Sequence, residues 1–75
     1  MIEILSYRVN YNKIEEFRFW LNKDYIVSLT QIEETRDDEL PVCFQVGYMN
    51  ERIKLRFKER VQATILHQQI LQEIT

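Results

Sequence analysis

The chain holds few side chains that do chemistry. His67 is its only histidine and Cys43 its only cysteine. General-base or metal work at His67 would need a positioned partner, and its neighbours are Gln68 and Gln69. The spacing instead makes it a partly exposed helix residue. A nucleophilic Cys43 would need a base or a helix N-terminus to lower its pKa. It stands inside an apolar, β-favouring run beside Phe44, which points to a buried or sheet-facing thiol. Glu15 and Glu16 are adjacent, so on a helix they would diverge by about 100° and form no carboxylate pair. Tyr7, Arg8, Tyr11 and Tyr25 are the only raw material for an unassigned enzymatic pocket. No GxSxG, HExxH, Walker A, GxGxxG or EF-hand pattern occurs. A non-catalytic protein without cofactor or metal is the expectation.

Two charged segments of opposite sign carry more information. Residues 31–42, QIEETRDDELPV, hold Glu33, Glu34, Asp37, Asp38 and Glu39 against Arg36, with the only proline at 41. Such a run is either the solvated connection between two strands or a surface for a partner. Within residues 51–60, ERIKLRFKER, the stretch 52–58 alternates strictly. As a strand it places Arg52, Lys54, Arg56 and Lys58 on one face at about 6.5–7 Å intervals. That spacing suits phosphates along a nucleic-acid strand, though bases are equally common as guards of a sheet edge. The two segments can also screen one another within the molecule, which is the leading reading, ahead of partner recognition through the acidic loop.

Elements must position these groups. At 75 residues and net charge −2, the chain reads as one domain, 1–75, with no global attraction for nucleic acid or an anionic membrane. A lone cysteine excludes an internal disulfide. Met1-Ile2-Glu3 offers no basic start of a leader, and no apolar run approaches a membrane span. A cytoplasmic location follows as the expectation.

IEILSYRV, 2–9, reads as a strand. Asn12 and Glu15 fit a capping box, and Ile14, Phe17 and Leu21 recur at helical spacing, predicting a helix over 12–23. YIVSLTQI, 25–32, and VCFQVGYM, 42–49, read as strands. In the latter, Val42, Phe44, Val46 and Tyr48 face one way and Cys43, Gln45 and Gly47 the other. Residues 51–59 fit both a strand, by their alternation, and the start of a helix with Ile53, Phe57, Val61 and Ile65 in one row, the alternation favouring the strand, and residues 60–74 read as a helix. The fold class expected is α+β, a small antiparallel sheet of three or four strands with two helices on one face, in the order β-α-β-β-(β)-α. The opening MIEILSYRVNYNKIEEFRFWL resembles the first strand and helix of small ferredoxin-like dimeric domains such as the antibiotic-biosynthesis monooxygenases, and the resemblance implies that same strand–helix start.

More apolar surface is present than one small core needs. Phe19 falls off the stripe of the expected first helix. Leu66, Ile70 and Ile74, with Ile65 and Leu71, surround much of the last one. A protein-interaction module follows: an adaptor, inhibitor or regulatory subunit that binds a partner protein and self-associates, with Phe19, Leu66, Ile70 and Ile74 in an interface. The alternative is nucleic-acid binding through Arg52, Lys54, Arg56 and Lys58.

Overall fold

The computed structural model describes residues 1–75. Its chain order is β1 (Ile2–Asn10), β2 (Lys13–Leu21), a 3-10 turn (Lys23–Tyr25), β3 (Ile26–Leu29), β4 (Glu33–Glu34), β5 (Val42–Tyr48), β6 (Glu51–Phe57) and α1 (Arg60–Ile74). The molecule is mostly strand with a single helix at its C-terminal end.

The expected β-α-β-β-(β)-α order with two helices is therefore corrected. Residues 13–21 are not a helix but the second arm of a hairpin with nine-residue strands, in register from Ile2↔Leu21 to Asn10↔Lys13. The segment suits both states. Ile14, Phe17 and Leu21 fit a helical stripe, while Phe17, Phe19 and Leu21 alternate at strand spacing with Arg18 and Trp20 between them. What decides it is a partner: β1 offers a complementary ladder directly alongside. The pair Asn12 and Glu15 does not cap a helix. Glu15 reaches across the hairpin, accepting from Arg8 Nε at 3.3 Å and Asn10 Nδ2 at 3.3 Å. Tyr11 and Asn12 turn the chain with φ of 51° and 63°, the left-handed values of a two-residue type I′ turn. The strand–helix start implied by the ferredoxin-like resemblance is absent.

The second sheet is centred on β5. β6 pairs with one edge of β5, antiparallel, from Val42↔Phe57 to Tyr48↔Glu51. Along the other edge run β3 and then β4, with a bulge between Ile26 and Ser28. The expected strand over 25–32 is thus two short pieces. Gly47 lets the neighbouring strand approach closely: a Cβ there would overlap Ser28 Oγ and crowd Val27 Cγ2 at 3.2 Å, so those side chains would have to give way. The strand expected at 51–59 is observed as 51–57, and the helix expected at 60–74 as Arg60–Ile74.

The core lies between this sheet, the base of the hairpin and α1. Val42, Phe44, Val46, Leu55 and Phe57 come from the sheet, Ile2, Ile4 and Leu21 from the hairpin, and Ala63, Leu66 and Ile70 from the helix. The hairpin base covers the area a first helix was expected to cover. The two sheets meet without a shared ladder, at one buried hydroxyl. Ser6 Oγ accepts from Arg56 N–H at 3.0 Å and faces Arg56 O at 3.3 Å. The hairpin tip extends beyond the body, and the principal extents are 35 × 20 × 20 Å.

Candidate functional site: a groove between the hairpin and the helix

The clearest concavity is a groove of about 330 Å³ between one face of β1 and one side of α1. Leu5, Tyr7, Phe57 and Leu66 contribute apolar surface, Ile65 stands at its edge, and Glu3, Gln62 and Gln69 supply polar groups. Alternation places Glu3, Leu5 and Tyr7 on one face of β1. Helical spacing places Gln62, Ile65, Leu66 and Gln69 on one side of α1. Gln62 joins the two walls: its Nε2 donates to Tyr7 Oη at 2.9 Å, and its Oε1 accepts from Glu59 N–H at 3.3 Å, fixing the first turn of the helix. Tyr7 also packs edge-on against Phe57. Trp20 lies directly across from Glu3 and is 58% exposed, and Ile65 is 64% exposed. The groove thus opens onto apolar surface.

The acidic segment has a defined structure. Asp37 Oδ1 accepts from Glu39 N–H at 2.9 Å and Leu40 N–H at 3.0 Å, while its Oδ2 meets the guanidinium of Arg56. The two backbone donors, ahead of the Arg56 charge, hold the Asp37 carboxyl below its ordinary range. Leu40 is buried beneath the loop. Glu34 pairs with Arg60 at 3.2 Å. The oppositely charged segments therefore meet within the chain at two points. Glu33, Asp38 and Glu39 remain exposed.

The same pairs bear on the basic row. Arg52, Lys54 and Arg56 share one sheet face as the strand reading requires, opposite Gly47, Gln45 and Cys43. Arg56 is engaged by Asp37, and Glu33 projects beside Cys43 on the same face. Lys58 lies beyond the strand end. The row is interrupted by acids, so its anion-binding potential is lower than the sequence pattern implies.

Of the expected interface residues, two are corrected. Leu66 and Ile70 are 7% and 0% exposed and belong to the chain's own core. A fifteen-residue helix lying on a small sheet must bury one side, and these two occupy it together with Ala63. The exposed apolar residues of α1 are Val61, Ile65 and Leu71. Ile74 and Phe19 are half-buried against the core edge. Phe19 stacks on Phe17 at 5.7 Å between ring centres, and Arg8 lies over Phe17 at 5.2 Å.

Tyr7, Arg8, Tyr11 and Tyr25 are not brought together. Tyr7 lines the groove, Arg8 lies over Phe17, Tyr11 is at the hairpin tip, and Tyr25 packs on Tyr48. His67 stands edge-on to Phe44 and hydrogen-bonds Thr30 O through Nε2 at 2.9 Å. Cys43 is buried. No helix is long and apolar enough to cross a membrane. The groove itself was not expected from sequence. Its only signal was the alternation Glu3, Leu5, Tyr7, whose neighbour across space is set by tertiary packing. In comparisons with protein-family models, curated proteins and solved structures, the chain matches none.

Proposed function

We propose that this chain is a small non-catalytic interaction module, an adaptor, inhibitor or regulatory subunit, that acts by occupying a partner protein's surface through the hairpin–helix groove. The observation that carries this reading is the groove's composition. An apolar floor of Leu5, Phe57 and Leu66 opens to exposed Ile65 and Trp20, and the amides of Gln62 and Gln69 stand along one wall. An apolar anchor in a well-fitted pocket, ringed by groups that bond peptide units, is the usual source of affinity between proteins. The occupant that fits is a peptide segment of the partner with an apolar side chain seated on Leu5 and Leu66 and its backbone against the glutamines. The lone, buried Cys43 is compatible with a reducing, cytoplasmic setting.

The test is affinity capture of the tagged chain from its native lysate after nuclease treatment, run in parallel with variants. Wild type is expected to retain a defined protein that Ile65→Glu loses and the loop variant Asp38→Ser/Glu39→Ser keeps. If Ile65→Glu retains the same protein while the loop variant loses it, the acidic loop is the partner surface and the groove reading fails. If the catch vanishes with nuclease, the basic face at Arg52, Lys54 and Arg56 takes precedence.

A further inference from the structure

The hairpin presents a second surface, the outer edge of β2, which shares Trp20 with the rim of the groove. β2 pairs with β1 and with no other strand, so one edge of β2 is a free ladder. It is nine residues long and regular, with no proline and no bulge. Natural sheets ordinarily interrupt or guard such an edge. The charges on this one, Lys13, Glu15, Glu16 and Arg18, sum to zero.

The ladder's phase is fixed by the turn. A two-residue hairpin closes on a hydrogen-bonded pair, here Asn10↔Lys13. Hydrogen-bonded pairs then recur at every second residue, so Lys13, Glu15, Phe17, Phe19 and Leu21 direct their peptide groups at β1. Ile14, Glu16, Arg18 and Trp20 direct theirs outward. The same rule applied to the β5–β6 hairpin turns the peptide groups of Arg56 away from β5, where Ser6 meets them.

We propose that β2 pairs antiparallel with β2 of a second copy of this chain, about a two-fold axis at Phe17, joining two hairpins into a four-stranded sheet. In that register Glu16 lies opposite Arg18 of the second copy, twice by symmetry, and Ile14 lies opposite exposed Trp20, also twice. All four residues have outward peptide groups, so each facing pair exchanges two main-chain hydrogen bonds. On the other face the two Phe17 rings meet at the axis, each already stacked on its own Phe19. Centres at Glu15, Glu16 or Arg18 set like charges against one another, which is unfavourable. The Phe17 centre alone uses the whole strand. The surface of the single chain is in keeping: 5423 Å², against about 4,900 Å² for a compact monomer of this mass.

Charge reversal with rescue, read as mass in solution by sedimentation equilibrium, tests the register. Wild type is expected at twice 9.2 kDa. Glu16→Arg and Arg18→Glu each turn two attractive contacts into two repulsive ones and should weaken the dimer about tenfold or more. The double variant Glu16→Arg/Arg18→Glu restores the complementarity and should dimerise like wild type. A monomeric wild type, single reversals without effect, or a folded double variant that fails to dimerise each overturns the proposal. Should a reversal unfold the chain, disulfide capture with native charges decides: Phe17→Cys should cross-link to itself and Glu15→Cys should not, and the opposite result refutes the register.

Discussion

Replacing Ser6 by alanine tests how the two halves of the molecule are joined. Ser6 is fully buried, and its hydroxyl serves both peptide groups of Arg56, at 3.0 Å to N and 3.3 Å to O. No backbone ladder links β1 to β6, so nothing else in the strand pairing takes over. Ser6→Ala removes one oxygen and strands a donor and an acceptor. Each stranded buried group costs about 1–3 kcal/mol. The carbonyl bond is the longer and weaker, so the sum expected is about 2–3 kcal/mol. A domain of this length has a total stability of about 4–11 kcal/mol, so the loss is a large share. Urea unfolding, with a slope of about 1 kcal/mol/M, should show the midpoint falling by about 2 M. Amide exchange at Arg56 should accelerate in the same variant. Ser28→Ala, which removes an exposed hydroxyl, should stay within about 0.5 kcal/mol. A midpoint shift in Ser6→Ala no larger than that control would mean that water replaces the hydroxyl without penalty, and the account of the join would be wrong.

The corrected orientation of α1 predicts that Leu66→Ala costs about 2–4 kcal/mol of stability, whereas Ile65→Ser, on the exposed side, costs little; equal losses in thermal melts would contradict the packing. The Asp37 carboxyl is held below 3.8 by its backbone donors and Arg56. Its stabilisation is therefore present above that value and disappears as pH falls through it toward the folded-state pKa. Denaturation curves taken from neutral to acid pH should thus flatten in Asp37→Asn relative to wild type; identical acid limbs would remove Asp37 from the account. Tyr11 and Asn12 occupy left-handed backbone without being glycine, so Tyr11→Asn/Asn12→Gly should raise stability by about 1 kcal/mol, and a lowered melting temperature would reject the assigned turn.

The strands at 2–10 and 42–48 and the helix at 60–74 were legible because each pattern admits one reading, whereas 51–57 fits a helical row of Ile53, Phe57 and Val61 as well, and only its strict alternation favoured the strand that is observed. Val42, Phe44 and Val46 alternate with Cys43, Gln45 and Gly47 at a period of two, and residues 60–74 run through good helix formers without glycine or proline. The charges at 31–42 and 51–60 were legible as opposites, and their pairing as Asp37 with Arg56 and Glu34 with Arg60 follows from strand adjacency plus Coulomb attraction. Residues 13–21 were not legible. KIEEFRFWL satisfies a helical stripe and a strand alternation together, and local periodicity cannot rank them. The energy that separates them comes from a ladder with residues 2–10 and from core positions for Leu21 and Ile4, both non-local. The same limit applies to α1, where Ile65 and Leu66 are equally apolar in the chain and only the direction of the sheet beneath decides which is buried. Sequence by itself determined the element types wherever one period was present, the single-cysteine chemistry and the opposed charges. Tertiary structure alone decided the hairpin, the buried side of the helix and the groove between them, because each depends on which surfaces face one another across a core.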